Sequence, residues 1–363
     1  LLPTRREAVD FPTGEIALAH CRACGFLFNA AFDPSRLEYS ARYEETQGYS
    51  PTFRSWHEKL ARDLIERYGL RRKKVVEIGC GKGEFLTLLC ELGENEGTGF
   101  DPAYVPERNQ SPARERVRFI RDFYSERYGD EQGDFLCCKM TLEHIQPAAD
   151  FIRTVRRSLG EGGKTLVLFQ VPDVERILEE IAFWDVYYEH CSYYSLGSLA
   201  RLFRRSGFHV RGLAREFDGQ YLMIEALPGN GTPSPPVPGE DDAARIGELV
   251  ARFARLLPGR LTAWRKRLAE FRSHDRRMVV WGSGSKGVSF LTTLGIREEV
   301  EFVVDINPHR QGNFMAGTGQ EIVAPGFLQE YRPDVVVIMN PVYREEIAAE
   351  LRRQDLRPEI LTP

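Results

Sequence analysis

Three stretches of this 363-residue chain carry residue types that can do chemistry, at spacings that let them act together. The first is Glu77-Ile78-Gly79-Cys80-Gly81-Lys82-Gly83, behind the apolar Val75-Val76 and ahead of a helical pattern starting at Glu84. Glycines in such a turn let the backbone bend sharply and approach a bound molecule with no Cβ in the way. The spacing is Gly-x-Gly-x-Gly rather than the Gly-x-Gly-x-x-Gly of dinucleotide binders. An acid, Glu77, stands two residues before the first glycine, and a second, Asp101, ends the strand-like Thr98-Gly99-Phe100 about twenty residues on. The second stretch is Tyr187-Tyr188-Glu189-His190-Cys191-Ser192-Tyr193-Tyr194-Ser195. Histidine titrates near neutrality and is the commonest general base. Glu189 beside His190 supports that role, and Tyr193 offers a hydroxyl to a substrate. The third is Cys21-Arg22-Ala23-Cys24-Gly25, where two thiolates at this spacing bite one metal and make half of a four-ligand zinc site.

The elements that must position these residues alternate between short apolar runs and helical patterns. Strands are expected at 75–78, 98–101, 117–120, 134–138 and 165–172, with a last one at 220–226. Helices are expected from Ser50 (Ser-Pro at a helix start) to about Tyr68, from Glu84, over 151–159 and over 198–207. This is an α/β sheet over residues 51–227, whose ligands sit at the carboxyl ends of its strands. Residues 1–50 form a small module ending in a tyrosine-rich segment, Tyr39, Tyr43 and Tyr49, with Tyr49 a candidate to contact substrate. Residues 228–275 open as a Pro/Gly linker, Pro228 to Pro236. They continue as a charged brace of two helices, Asp241 to about Arg272, interrupted at Pro258-Gly259. Residues 276–363 repeat the α/β pattern. Met278–Trp281 leads into Gly282-Ser283-Gly284-Ser285-Lys286-Gly287 and a helix, then a strand ending at Asp305, then Asp334–Asn340. A glycine turn at a helix N-terminus is an anion site. Gly284 permits close approach there and Lys286 adds charge.

The net charge of −4 argues against nucleic acid as the main partner, because phosphate contacts need a basic surface. No run is long and apolar enough to span a bilayer, and no signal-peptide pattern is present. Seven cysteines without framework spacing point to a reducing cytoplasm, and Cys80, Cys90, Cys137 and Cys138 fall in apolar core patterns. A monomer with a small-molecule substrate is expected.

The glycine turn with its two acids resembles the first motif of class I S-adenosylmethionine (SAM) methyltransferases. Leu142-Glu143-His144-Ile145 is similar to the segment after their fourth strand. Taken whole, the chain resembles the sugar C-methyltransferase family of bacterial deoxysugar pathways. The stretches that carry this are Cys21-x-x-Cys24-Gly25, Glu77 to Gly83, Tyr188-Glu189-His190-x-x-Tyr193-Tyr194-Ser195, Gly282 to Gly287 and Val304-Asp305-Ile306-Asn307-Pro308. The resemblance implies a class I methyltransferase Rossmann-like sheet, a C-terminal Rossmann-like domain and an N-terminal zinc-binding module on Cys21 and Cys24. It implies SAM held by Glu77, Gly79, Gly81, Asp101, Asp122 and Phe123. It also implies an acceptor that is a nucleotide-linked 4-keto sugar, held with help from the C-terminal turn. In that chemistry a base removes the proton beside the ketone and the enolate attacks the methyl. One departure stands out. Members carry a His-Gly-Gly-Ser-like segment before the last strand of the central domain, whereas this chain reads Glu216-Phe217-Asp218-Gly219-Gln220-Tyr221. The base then falls to His190, Glu189, Tyr221 or Asp218. Methyl transfer to oxygen or nitrogen of another small metabolite, and a SAM-binding scaffold without catalysis, stay open as alternatives.

Overall fold

The computed structural model describes residues 1–37, 43–160, 163–229 and 234–363; Tyr39 and part of the expected linker lie outside them. The first hairpin pairs β1 (Leu18–His20) with β2 (Leu27–Asn29) around the Cys21–Gly25 turn. The helix Pro51–Tyr68 starts where the Ser50 side chain accepts from the Phe53 amide and Pro51 occupies the first turn. It stops at Gly69 in the left-handed region.

The main sheet follows. Its parallel strands are β3 (Lys74–Ile78), β4 (Glu96–Phe100), β5 (Val117–Ile120), β6 (Phe135–Lys139) and β7 (Leu166–Pro172). β3, β6 and β7 are almost wholly buried, as near-continuous apolar runs require when both faces are covered. After β7, the two-residue β8 (Ser192–Tyr193) leaves this sheet and pairs with β2. β9 (Phe208–Glu216) and β10 (Tyr221–Pro228) then complete the sheet in antiparallel sense, in the order β5-β4-β3-β6-β7-β10-β9. The order reverses beside β3, so the Gly79–Gly83 turn lies at the topological switch point where α/β sheets bind ligands.

The pair β9–β10 replaces the single last strand expected at 220–226. β9 is an edge strand with its outer half exposed, so its polar Arg211–Glu216 run does not read as a strand. Its turn into β10 needs left-handed backbone at Phe217, Asp218 and Gly219. The brace also differs from expectation, being one continuous helix, Ala243–Ser273, that runs through Pro258. An interior proline costs about 3 kcal/mol. Ile246, Leu249 and Phe253 before it and Trp264, Leu268 and Phe271 after it are all buried. At about 1.5–3 kcal/mol per large apolar side chain, that packing outweighs the proline.

The last sheet is all parallel: β11 (Met278–Trp281), β12 (Phe302–Val304), β13 (Glu321–Val323), β14 (Val335–Ile338) and β15 (Glu359–Leu361), in the order β13-β12-β11-β14-β15. One apolar cluster joins Ile177, Phe183 and Trp184 after β7 to Trp264 of the long helix and Phe290 and Leu294 after β11. The two sheets are thus held to each other by core, not by a linker. Among the described residues no helix is long and apolar enough to cross a membrane.

Candidate functional site

Two cavities adjoin where the sheets meet, one of about 420 Å³ over β3 and β4 and one of about 430 Å³ between the loop after β7 and the C-terminal sheet. Tyr43, Glu45, Thr46, Gln47, Met140 and His144 line both, so residues 43–47 are a strap along their common wall.

The first cavity brings together Glu77, Gly79, Gly81, Asp101, Asp122 and Phe123. Gly79 and Gly81 have φ of 68° and 55°, and a Cβ there would fall 2.0 Å from Thr141 Oγ1 and 2.4 Å from Glu45 Oε1 respectively. Backbone and space both require glycine at Gly79, whereas at Gly81 the left-handed backbone favours it and the would-be Cβ meets only the tip of the flexible Glu45 side chain. Glu77 is buried and accepts from the Leu86 amide at 3.0 Å, in the first turns of helix Glu84–Gly93. Burial pushes its carboxyl up to about 7, against the pull of the Lys139 ammonium. Asp101 accepts from the amides of Gly81 (2.8 Å) and Ala103 (2.7 Å), which ties the glycine turn to the end of β4. Burial raises its carboxyl in spite of those two donors. Lys82, buried beneath the strap, donates to the carbonyls of Tyr43 (2.9 Å) and Ala103 (2.8 Å). Asp122 accepts from the Tyr128 hydroxyl at 2.6 Å and pairs with Arg127, while the Phe123 ring is exposed at the mouth.

Glu45 was not legible as a site residue, since no motif surrounds it. Its carboxyl is pushed up to about 7 by burial, with Lys82 3.5 Å away, and one buried oxygen makes no hydrogen bond. A glycine cradle without room for a Cβ at Gly79, an acid at the end of β4 and an aromatic ring at the mouth together fit SAM.

His190, Glu189, Tyr221, Tyr49, Gly284 and Lys286 all line the second cavity. Tyr193 does not. As part of β8 it is buried against Leu27, and its hydroxyl donates to the Tyr187 carbonyl at 3.3 Å. His190 is 3 % exposed, its ring centroid lies 4.1 Å from that of Tyr187, and it meets His144 edge-on at 4.8 Å. Burial, then the neighbouring His144 and Lys286, hold it well below the usual histidine range, so it is neutral. The expected partnership of His190 with Glu189 is not what the structure contains. Glu189 accepts from the hydroxyls of Tyr43 and Ser285, both at 3.2 Å, and Glu143 is the acid nearest His190 Nε2, at 3.9 Å. Tyr221 accepts from Gln47 Nε2 at 3.2 Å, and burial pushes its hydroxyl up to about 12. Lys286 is paired with Asp185 at 2.9 Å and donates to Gln220 at 3.2 Å, so much of its charge is already spent.

The C-terminal turn repeats the bonding of the first one. Asp305 accepts from the Ser283 amide (2.9 Å) and the Asn307 amide (2.8 Å), as Asp101 does from Gly81 and Ala103. The Cys21–Gly25 turn closes through Gly25 N–H to the Cys21 carbonyl at 2.9 Å, with Gly25 at φ 71°. Among the described residues the two thiols gather no third metal-binding side chain. Among the described residues the only cluster of three metal-binding side chains is Glu143, His144 and His190, with donor atoms within 4.8 Å of one another. The expected zinc site is therefore not assembled among the described residues.

Comparison with known proteins agrees with this geometry. A family described as "Methyltransferase domain" matches residues 53–213, and one described as "C-methyltransferase C-terminal domain" matches residues 248–357. C-methyltransferase NovU of Streptomyces niveus is 26% identical over 307 residues, covering 80% of this chain and 71% of the relative. Ubiquinone biosynthesis O-methyltransferase of Pseudomonas aeruginosa is 32% identical over 133 residues, covering 32% of this chain and 56% of its own length. Among solved structures, the 1,6-didemethyltoxoflavin-N1-methyltransferase of Burkholderia thailandensis, with bound S-adenosylhomocysteine, aligns at TM-score 0.38 and 18% identity over 49% of this chain and 81% of that one. The matched regions support a C-methyltransferase family.

Proposed function

This chain is a SAM-dependent methyltransferase, and we propose that it methylates a nucleotide-linked keto-deoxysugar at carbon. The observation that carries the reading is the second cavity. It adjoins the first cavity through a shared wall, and a second glycine turn held by an acid lines it. A cavity lined by a candidate base and by an anion-type helix N-terminus suits an acceptor with a reacting ring and a diphosphate tail.

Bound SAM supplies an electrophilic methyl group on a sulfonium. The protein does the rest. Gly79 and Gly81 cradle the methionine end, Asp101 takes the ribose hydroxyls, and Asp122 and Phe123 hold the adenine. His190, neutral because it is buried, takes the proton from the carbon beside the ketone. Tyr221 keeps its proton at neutral pH, and its hydroxyl steadies the enolate oxygen. Gly284, Ser283 and Lys286 hold the nucleotide diphosphate end, in a turn that the Asp305 carboxylate fixes through the Ser283 and Asn307 amides.

The test is to incubate the protein with ¹³C-methyl SAM and thymidine-diphosphate 4-keto-6-deoxyglucose and map the product by NMR. The reading expects the labelled methyl bonded to the carbon next to the ketone. A methyl bonded to oxygen or nitrogen would overturn carbon as the acceptor, and no transfer to this substrate or its other nucleotide forms would overturn the sugar.

A further inference from the structure

The two glycine turns are built alike. The last sheet runs β13-β12-β11-β14-β15, which is the order of β5-β4-β3-β6-β7 in the first. Gly282 N–H donates to the Val304 carbonyl at 2.9 Å and Asp305 N–H to the Val323 carbonyl at 3.1 Å, as Gly79 does to Phe100 (2.8 Å) and Asp101 to Ile120 (3.1 Å). A Cβ on Gly282 would meet Met339 after β14, as one on Gly79 would meet Thr141 after β6. The helices that follow differ in charge. Glu84 opens Glu84–Gly93, whereas the first turn of Ser285–Leu294 has no acid and contains Lys286. Arg310 brings its guanidinium to this second turn, with Nη1 3.3 Å from where a Gly284 Cβ would sit. The second cradle thus favours a phosphate where the first does not. Asp305, about twenty residues on, stands at the strand end where such cradles hold a sugar hydroxyl.

The two acids differ in what they have left to offer. A carboxylate has about four lone-pair positions, two on each oxygen. Asp101 uses one on each side, Oδ2 for the Gly81 amide and Oδ1 for the Ala103 amide. One position remains on each oxygen, a match for the two adjacent hydroxyls of the SAM ribose. Asp305 Oδ2 takes both the Ser283 amide at 2.9 Å and the Ser283 hydroxyl at 2.5 Å, and Arg310 Nη1 stands 3.8 Å from it. Its Oδ1 takes the Asn307 amide at 2.8 Å. Among the described residues that leaves Asp305 one open position, on Oδ1.

We propose that the second cradle selects a 2′-deoxyribonucleotide. The inference rests on the reading of the second cavity as the nucleotide-sugar site. Asp305 Oδ1 accepts the single sugar hydroxyl, at C3′, while the turn and Arg310 face the diphosphate. Ser283, Asp305, Asn307 and Arg310 all line that cavity. A ribonucleotide brings a second hydroxyl, at C2′, to the filled Oδ2. The Asp305 side chain is only 12% exposed, which leaves little water to serve that hydroxyl instead, and an unmet donor in a buried site is costly.

The experiment is titration calorimetry of the full chain, saturated with S-adenosylhomocysteine, against three ligands that share one base and one diphosphate. They are thymidine 5′-diphosphate, its 3′-deoxy form, and 5-methyluridine 5′-diphosphate, which adds the 2′-hydroxyl. Wild type should hold thymidine diphosphate about tenfold tighter than either of the others, the worth of one hydrogen bond to a charged group. S283A removes the hydroxyl that fills Oδ2 and reopens that position. In S283A the ratio between the thymidine and 5-methyluridine forms should fall to about one, whatever happens to both affinities together. Equal wild-type affinity for the 3′-deoxy form would take the hydroxyl off Asp305. Equal wild-type affinity for 5-methyluridine diphosphate, or an unchanged ratio in S283A, would overturn the selection. If S283A does not fold, the three wild-type affinities decide. No binding of any of the three would sink this inference together with the nucleotide-sugar reading. The two otherwise fail separately. A tenfold preference without methyl transfer to the keto-sugar conjugate would sink the proposed function alone, and transfer without any preference would sink this inference alone.

Discussion

In the proposed reading His190 carries the chemical weight at the scale of single residues. It is buried, neutral and on the wall of the second cavity, while the first cavity is lined by other residues. H190A should therefore keep its affinity for S-adenosylhomocysteine, measured by calorimetry. It should lose turnover by roughly 10²–10⁴-fold, the usual worth of a general base. Unchanged turnover would remove His190 from the chemistry. His190 and Tyr221, both named from the sequence, line the second cavity together. The acid beside His190 was not legible. Sequence adjacency favours Glu189, but a loop turns that side chain to Tyr43 and Ser285, and the acid nearest His190 is Glu143, in the turn after β6. Tyr193 was misread for a related reason. The same loop becomes β8, and pairing with β2 carries the tyrosine into the core.

Among the elements, the turn after β3 is the most constrained. Gly79 combines φ 68° with a position where a Cβ would overlap Thr141. G79A should cost stability and lower S-adenosylhomocysteine affinity at least about tenfold, because the turn must open to relieve both conflicts and the cradle opens with it. G160A is the control: Gly160 has φ 68° but nothing within 4 Å of its would-be Cβ. It should lose about 1 kcal/mol of stability in a denaturant melt and no affinity. Equal affinity losses in both variants would show that backbone strain, and not the cradle, is being read. The elements around this turn were legible to within a residue or two, since buried parallel strands are short apolar runs. β9 was not, because an edge strand need not be apolar. Neither was the continuity of the 31-residue helix, where packing on both sides of Pro258 overrides a local break signal.

The second cavity exists only at the scale of the whole molecule. Glu44 on the strap pairs with Arg108 at 2.9 Å and accepts from Asn307 at 2.9 Å, and Ser50 donates to Glu346 at 2.7 Å. Gln220 after β9 and Asn340 after β14 bond each other at 2.7 Å. These contacts span more than a hundred residues each way, except Glu44–Arg108, and no local pattern announces them. The two glycine turns were readable separately, but their opening onto adjoining cavities was not. That adjacency is the central claim. A ligand held only by the folded state stabilises it by mass action, by about 2.7 kcal/mol at a hundredfold excess over Kd, and so raises the melting temperature. The most direct test is a thermal-shift series with saturating S-adenosylhomocysteine, to which thymidine diphosphate and its 4-keto-6-deoxyglucose conjugate are added in turn. Stabilisation by S-adenosylhomocysteine, followed by a further rise of several degrees with the nucleotide or its sugar, is the predicted result. Stabilisation by S-adenosylhomocysteine with no further rise from any nucleotide or nucleotide sugar would contradict the account.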